Sequence, residues 1–400
     1  MSLLTDSETY LFSTYNRYPI VLVKGDGTRV WDLDGKEYLD FVAGIAVCNL
    51  GHCHPAIVEA ITTQAQNLLH VSNLYHNKPQ IELARLLVES SFADKVFFCN
   101  SGAEANEGAI KLARKYMWDA FGKERYEIIA AEHSFHGRTL AALTATGQDK
   151  MKKGFSPLMP GFVHVPFNSI EAIEQAVTDK TGAILIEPIQ GEGGVNCPSD
   201  RYLSDVRRFC DENHLLLIFD EVQVGMGRTG MLFAHEHYGV VPDIMTLAKA
   251  LAGGLPIGAI LAREGVARSF TPGTHASTFG GNPLVAAAGI AAVRAITEPT
   301  LLEHCRFMGS YFMEQLRNLQ RKHRFIKEIR GKGLLIGMEL DRPGADIVTV
   351  CLEKGILINC IQEKVLRFVP PLTIEKGDIA RLIETLDEIF STRLQGISRG

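Results

Sequence analysis

What most restricts the fold of this chain is a set of short, largely apolar runs that each stop at a polar side chain. KVFFC at 95–99 stops at Asn100, AILI at 183–186 stops at Glu187, and LLLIF at 215–219 stops at Asp220. A fourth run, 244–248, carries Lys249 into a glycine-rich turn, and 127–131 and 257–261 read as further strands. Helical apolar spacing separates them, at 79–90 (Ile81, Leu83, Ala84, Leu87), 105–121 and 201–213. Strands without polar alternation are covered on both faces. The pattern therefore predicts an α/β fold, a largely parallel central sheet with helices on both sides, plus a smaller α+β domain. Such sheets bind ligands beyond the carboxyl ends of their strands. Asn100, Glu187, Asp220 and Lys249 are expected to meet there.

At 400 residues the chain is too long for one small core. The expected division is an N-terminal segment at 1–55, a large domain at 56–300 and a small α+β domain at 301–400. The first begins with a hairpin, 28–32 and 37–41 around Asp34-Gly35, and is expected to pack with the last. The small domain is read from a helix at 301–322, strands at 334–340, 356–359 and 365–368, and an amphipathic helix marked by Ile379, Leu382, Leu386 and Phe390. A net charge of −5 with no clustered basic face speaks against nucleic-acid binding. No apolar run reaches the ~18 residues of a membrane span, and residues 1–8 lack the layout of a signal peptide. The eight cysteines form no C-x-x-C pair and read as reduced thiols of a cytoplasmic protein.

Several loops carry candidate chemistry. Ser101-Gly102-Ala103-Glu104 opens a helix after a strand. It reads either as a plain capping box or as a phosphate seat, where exposed amides and the helix dipole hold a dianion. Phe135 and Arg138 share a polar loop; the first can bury in the core or lie against a ring, and the second suits a carboxylate. Glu192 sits among glycines, where a solvated turn is the plain alternative. The 225–230 segment matches G-x-G-x-x-G, but four residues separate it from the strand-terminal Asp220. It reads as a backbone turn, with a nicotinamide-dependent dehydrogenase as the rival reading. The histidines at 52, 54, 235 and 237 lack zinc-ligand spacing.

Lys249 and Asp220 together define the most specific chemistry. An amine that can lose its proton and a carboxylate at a strand's edge are what a pyridoxal phosphate enzyme needs. The amine bonds the cofactor, and the acid keeps the pyridine nitrogen protonated.

In order and spacing, the motifs SGAEAN at 101–106, FHGRT at 135–139, EPIQGE at 187–192, DEVQ at 220–223, Lys249, STFGGNP at 277–283 and RFVPP at 367–371 resemble the class III, ornithine-type aminotransferases. The resemblance runs from about residue 15 to the C-terminus. It is strongest to the branch acting on N-acetylornithine in arginine biosynthesis, close to the branches acting on succinylornithine and ornithine. It implies a fold type I, pyridoxal 5'-phosphate-dependent homodimer with shared sites. By that likeness Ser101, Gly102 and Ala103 hold the phosphate, Phe135 stacks on the ring, Asp220 meets its nitrogen and Gln223 its phenolic oxygen. Lys249 is the Schiff-base lysine. Glu221 and Val222 line the cofactor, Ser277 and Thr278 reach the neighbouring subunit's site, and Tyr15 joins the substrate pocket.

The substrates explain the remaining charges. Glutamate has one carboxylate beside its reacting carbon and another further out, matching Arg367 and Arg138. An ω-amino donor lacks the near carboxylate, which would strand Arg367 as an unpaired cation. Glu192 is therefore expected to pair with Arg367 and to swing aside for glutamate.

Overall fold

The apolar runs form one seven-stranded sheet in the computed structural model, which describes residues 3–122 and 124–392. Its strand order is Lys95–Cys99, Gly258–Ala262, Ile244–Leu247, Leu216–Asp220, Thr181–Ile186, Glu127–Ala131, Phe162–Val165. Pairing is parallel from Ile244–Leu247 to the Phe162–Val165 edge. Gly258–Ala262 runs antiparallel to both of its neighbours.

Period-two alternation splits each strand between two cores. Leu185 and Ile218 face the helix Gly102–Phe121, packing with Ala105, Ala109 and Leu112. Ile184, Leu217 and Phe219 face the helix Tyr202–Asn213, packing with Leu203 and Val206. Each such side chain taken fully out of water contributes about 1.5–3 kcal/mol. Both faces are covered, and this is why the strands carry no polar alternation. The Phe162–Val165 strand escaped the sequence reading because it is a half-buried edge with His164 inside it.

The hairpin forms between Arg29–Asp32 and Glu37–Asp40, with Gly35 at φ +82° in its turn. Leu39 and Phe41 sink into the C-terminal core beside Phe312, Phe368 and Leu386, and the Phe41 and Phe312 ring centres lie 5.6 Å apart. The predicted strand at 356–359 proves to be two. Ile356–Leu357 adds in parallel to Glu37–Asp40, and Asn359–Ile361 pairs antiparallel with Val365–Phe368. The buried Ile358 lies between the two. The second sheet is completed by Ile326–Lys332 and Leu335–Leu340.

The 225–230 segment is a turn and opens no helix, so it lacks the context of a dinucleotide seat. Gly227 and Gly230 take φ of +84° and +88°. Between them Arg228 is fully buried. Its Nη1 donates to Leu334 O at 3.0 Å and Pro370 O at 2.6 Å, and its Nη2 donates to Asn49 Oδ1. One guanidinium thus ties the N-terminal segment to two C-terminal loops. Arg228→Ala strands three buried acceptors. It should cost about 3 kcal/mol or more in urea unfolding, whereas an unchanged midpoint would remove this role.

Candidate active site

A cleft of about 440 Å³ opens where the strands end, and Asn100, Glu187, Asp220 and Lys249 all line it. Asp220 ends its strand opposite Thr246 of the parallel neighbour, so Lys249 lies three residues further along the same edge (249 − 246). Lys249 opens a short 3-10 turn at φ +43°, a left-handed value unusual for a side chain with a Cβ. Strain of this kind persists where surrounding structure enforces it. Burial lowers the Lys249 ammonium pKa and Arg367 pushes the same way, while Glu192, Asp220 and Glu187 oppose them.

Asp220 is held by neighbours the sequence reading did not assign. Its Oδ2 accepts from Asn106 Nδ2 at 2.7 Å and faces His136 Nδ1 at 2.8 Å, and its Oδ1 accepts from Val222 N at 3.0 Å. Asn106 also donates to His136 O and accepts from Thr246 Oγ1, both at 2.8 Å. Both residues lie inside the motifs 101–106 and 135–139. No periodicity signals the roles of Asn106 and His136, because their partners arrive from distant strands.

At the other end, Ser101 caps the Gly102–Phe121 helix by accepting from Glu104 N at 3.2 Å. The reciprocal bond goes one residue further back than a capping box requires: Glu104 Oε2 accepts from Asn100 N at 2.7 Å. Ala105 N donates to Ser101 O. The Gly102 and Ala103 amides have no acceptor among the described residues, and the helix dipole favours an anion beside them. A Cβ on Gly102 would meet Val222 Cγ1 at 2.6 Å, so the seat needs glycine. The cleft can thus hold an anion at one end and a protonated ring nitrogen at Asp220. Phe135 lines its wall, with its N donating to Glu187 Oε2 at 3.1 Å.

The expected ion pair is present. Arg367, fully buried, donates from Nη1 to Glu192 Oε1 at 2.5 Å. Burial raises the Glu192 pKa, but Arg367 and Lys249 outweigh it and hold the carboxyl down at about 2. Gln223 bridges the pair, donating to Glu192 Oε1 at 3.1 Å and accepting from Arg367 Nη1 at 3.2 Å. Asn359, opposite Arg367 across the strand pair, accepts from Nη2 at 2.8 Å. Arg138 lines the cleft with its guanidinium 5.6 Å from the centre of the Phe135 ring, and makes no ion pair among the described residues.

Other expected residues lie elsewhere. Glu221 does not line the cleft. Alternation turns it away from Asp220's side, and its oxygens accept from Ala234 N at 2.6 Å and His235 N at 2.8 Å. A single chain also leaves Ser277, Thr278 and Tyr15 out of the lining. Ser277 Oγ accepts from Gly280 N at 3.0 Å and Asn100 Nδ2 at 3.2 Å, closing its own turn. Thr278 is exposed on that loop. Tyr15 is 72% exposed, on a segment lining a separate cleft beside His52 and Ile358. Among the described residues no His, Cys, Asp and Glu cluster could hold a metal ion.

With this geometry in view, comparison with known proteins places the molecule. The chain belongs to the class-III aminotransferases, whose pattern matches residues 11–390, and its mixed α/β architecture is theirs. More particularly, it is 60% identical over 390 residues to the acetylornithine aminotransferase of Caldanaerobacter subterraneus subsp. tengcongensis, covering 97% of this chain and 99% of that protein. It is 57% identical to that of Methanocaldococcus jannaschii, covering 96% of each. Among solved structures, the ornithine aminotransferase of Toxoplasma gondii, whose active site holds PLP at partial occupancy, superposes with TM-score 0.95 at 36% identity, covering 99% of this chain and 95% of that one. The N-acetylornithine aminotransferase of Stenotrophomonas maltophilia gives 0.86 at 37%, covering 98% and 100%.

Burial holds the Glu221 carboxyl up at about 8, and the Glu187 carboxyl up at about 7. Acids raised in the folded state are most favourable below their unfolded value of ~4.3, and that stability is lost as pH rises through 7 and 8. Resistance to urea should therefore fall between pH 5 and 9. Glu221→Gln should flatten this fall, and a variant with the wild-type slope would refute the assignment.

Proposed function

We propose that the chain is a pyridoxal 5'-phosphate-dependent aminotransferase. It would move the ω-amino group of N2-acetyl-L-ornithine to 2-oxoglutarate, giving N-acetylglutamate 5-semialdehyde and L-glutamate in cytoplasmic arginine biosynthesis. The observation that carries this reading is the Glu192–Arg367 pair inside the cleft that Lys249 and Asp220 share. The names of the relatives at 57–60% identity support an acetylated donor over succinylornithine or ornithine.

The chain's own groups fit the cofactor. The Gly102 and Ala103 amides, with Ser101 beside them, would hold the phosphate. Asp220 would keep a proton on the ring nitrogen, Phe135 and Val222, which line the cleft, would flank the ring, and Gln223 would face the phenolic oxygen. When bound, pyridoxal phosphate supplies an electrophilic carbonyl and a ring that accepts the electron pair left on the substrate carbon. Lys249 Nζ, with its proton affinity lowered by burial, takes the proton from the carbon bearing the transferred amine. Arg138 holds the outer carboxylate of either substrate. Arg367 holds the near carboxylate of glutamate, and Glu192 replaces that carboxylate while the donor is bound. Ser277 and Thr278 stand clear of this chain's cleft, which supports a homodimer in which they complete the neighbouring site, and Tyr15 is assigned to the substrate pocket.

Lys249→Ala should abolish turnover and remove the visible absorbance of the purified holoenzyme, and normal turnover would defeat the assignment. In a panel of ω-amino donors with 2-oxoglutarate, N-acetylornithine should give the highest kcat/KM. A preference for free ornithine would shift the reading to that donor. Glu192→Gln should change the two half-reactions unequally, whereas equal effects would refute the exchange of Glu192 for substrate.

A further inference from the structure

The residues around Glu192 include three glycines, Gly191, Gly193 and Gly194, for which a solvated turn is the plain reading of the sequence. The structure gives them another purpose. A Cβ on Gly191 would meet Gln223 Oε1 at 2.0 Å, and one on Gly193 would meet His133 O at 2.6 Å. These glycines permit close approach, and the backbone around them is buried.

The same stretch is fastened from both sides. Within the cleft, Glu187 Oε1 accepts from Gly191 N at 3.2 Å while its Oε2 holds Phe135 N. From outside, Gln362 Nε2 donates to Glu192 O at 2.8 Å and to Gln148 Oε1 at 3.1 Å. Gln362 stands at φ +45° and Glu363 at +64°, in the tight turn between the strands Asn359–Ile361 and Val365–Phe368. The second of these strands carries Arg367. Beyond Glu192, Arg330 Nε and Nη2 donate to Gly194 O at 3.0 and 2.7 Å. Gln190 Nε2 donates to Glu132 O at 2.8 Å, and the Gln190 and Asn196 backbones exchange bonds at 3.0 Å.

We propose that Glu187 and Gln362 are positioning residues that clamp the backbone on either side of Glu192, so that the exchange on Arg367 is a rotation of the Glu192 side chain on a fixed loop. Rotation of one side chain is faster than loop opening, and it keeps the Phe135 wall in place while the charges exchange. This rests on the exchange role proposed above for Glu192. It adds that the strained turn bearing Gln362 sets the spacing of Glu192 from Arg367.

Two measurements on the holoenzyme test it. Hydrogen exchange across 190–196 should stay equally slow with and without saturating glutamate, and faster exchange on adding glutamate would mean that the loop opens, overturning the clamp. Gln362→Ala should leave the visible spectrum intact and change the ratio of the two half-reaction kcat/KM values about fivefold, the worth of one hydrogen bond, through KM. An unchanged ratio would overturn the role of Gln362. Glu192→Gln measured in parallel separates the two ideas. If it shifts the ratio while Gln362→Ala does not, the clamp fails alone; if it leaves the ratio unchanged, the exchange itself has failed.

Discussion

Asp220 and the side chains that bind it form the junction on which the rest of the site is built. Asn106 comes from the Gly102–Phe121 helix, His136 from the loop after Glu127–Ala131, and Thr246 from the neighbouring strand. One amide, Asn106, bonds Asp220, the His136 carbonyl and Thr246 together. The same helix presents Gly102 and Ala103 at its start, and the Thr246 strand leads into Lys249. The junction therefore fixes the free amides of the helix start, the acid and the amine relative to one another. Buried networks of this kind specify one arrangement because each partner lost leaves the others unsatisfied.

A second constraint is electrostatic. Arg367 carries a full charge in the protein interior, and leaving such a charge unpaired costs about 3–5 kcal/mol. Glu192 meets that demand, with Gln223 and Asn359 occupying further donors and acceptors. Glu192 retains some exposure whereas Arg367 has almost none. The acid can therefore leave while the cation stays. That asymmetry is what a site serving two substrates with different charge patterns requires.

Much of this was legible from the residues, for identifiable reasons. Doubly covered parallel strands leave unbroken apolar runs, so Asp220 and Glu187 were recognisable by where those runs stop. The Glu192–Arg367 pair followed from substrate charge, because a buried cation without a partner is untenable. Asn106 and His136 were not legible, since their roles depend on which distant strands become neighbours. Glu221 was misplaced because adjacency to Asp220 in sequence means the opposite side in a strand-like segment, and it serves the backbone of Ala234 and His235 instead. The 356–359 run read as one strand because nothing local marks the change of sheet at Ile358. Tyr15, Ser277 and Thr278 lie outside this chain's cleft, and nothing in their local sequence marks that placement.

The central claim is that the Lys249 amine and the Asp220 carboxylate address opposite ends of one bound ring. Borohydride reduction of the purified holoenzyme, followed by peptide mass spectrometry, tests it most directly. The account predicts a single cofactor-mass adduct, confined to the peptide bearing Lys249 and lost from it when glutamate is added before the reductant. An adduct on any other lysine, or none in a coloured protein, would contradict it.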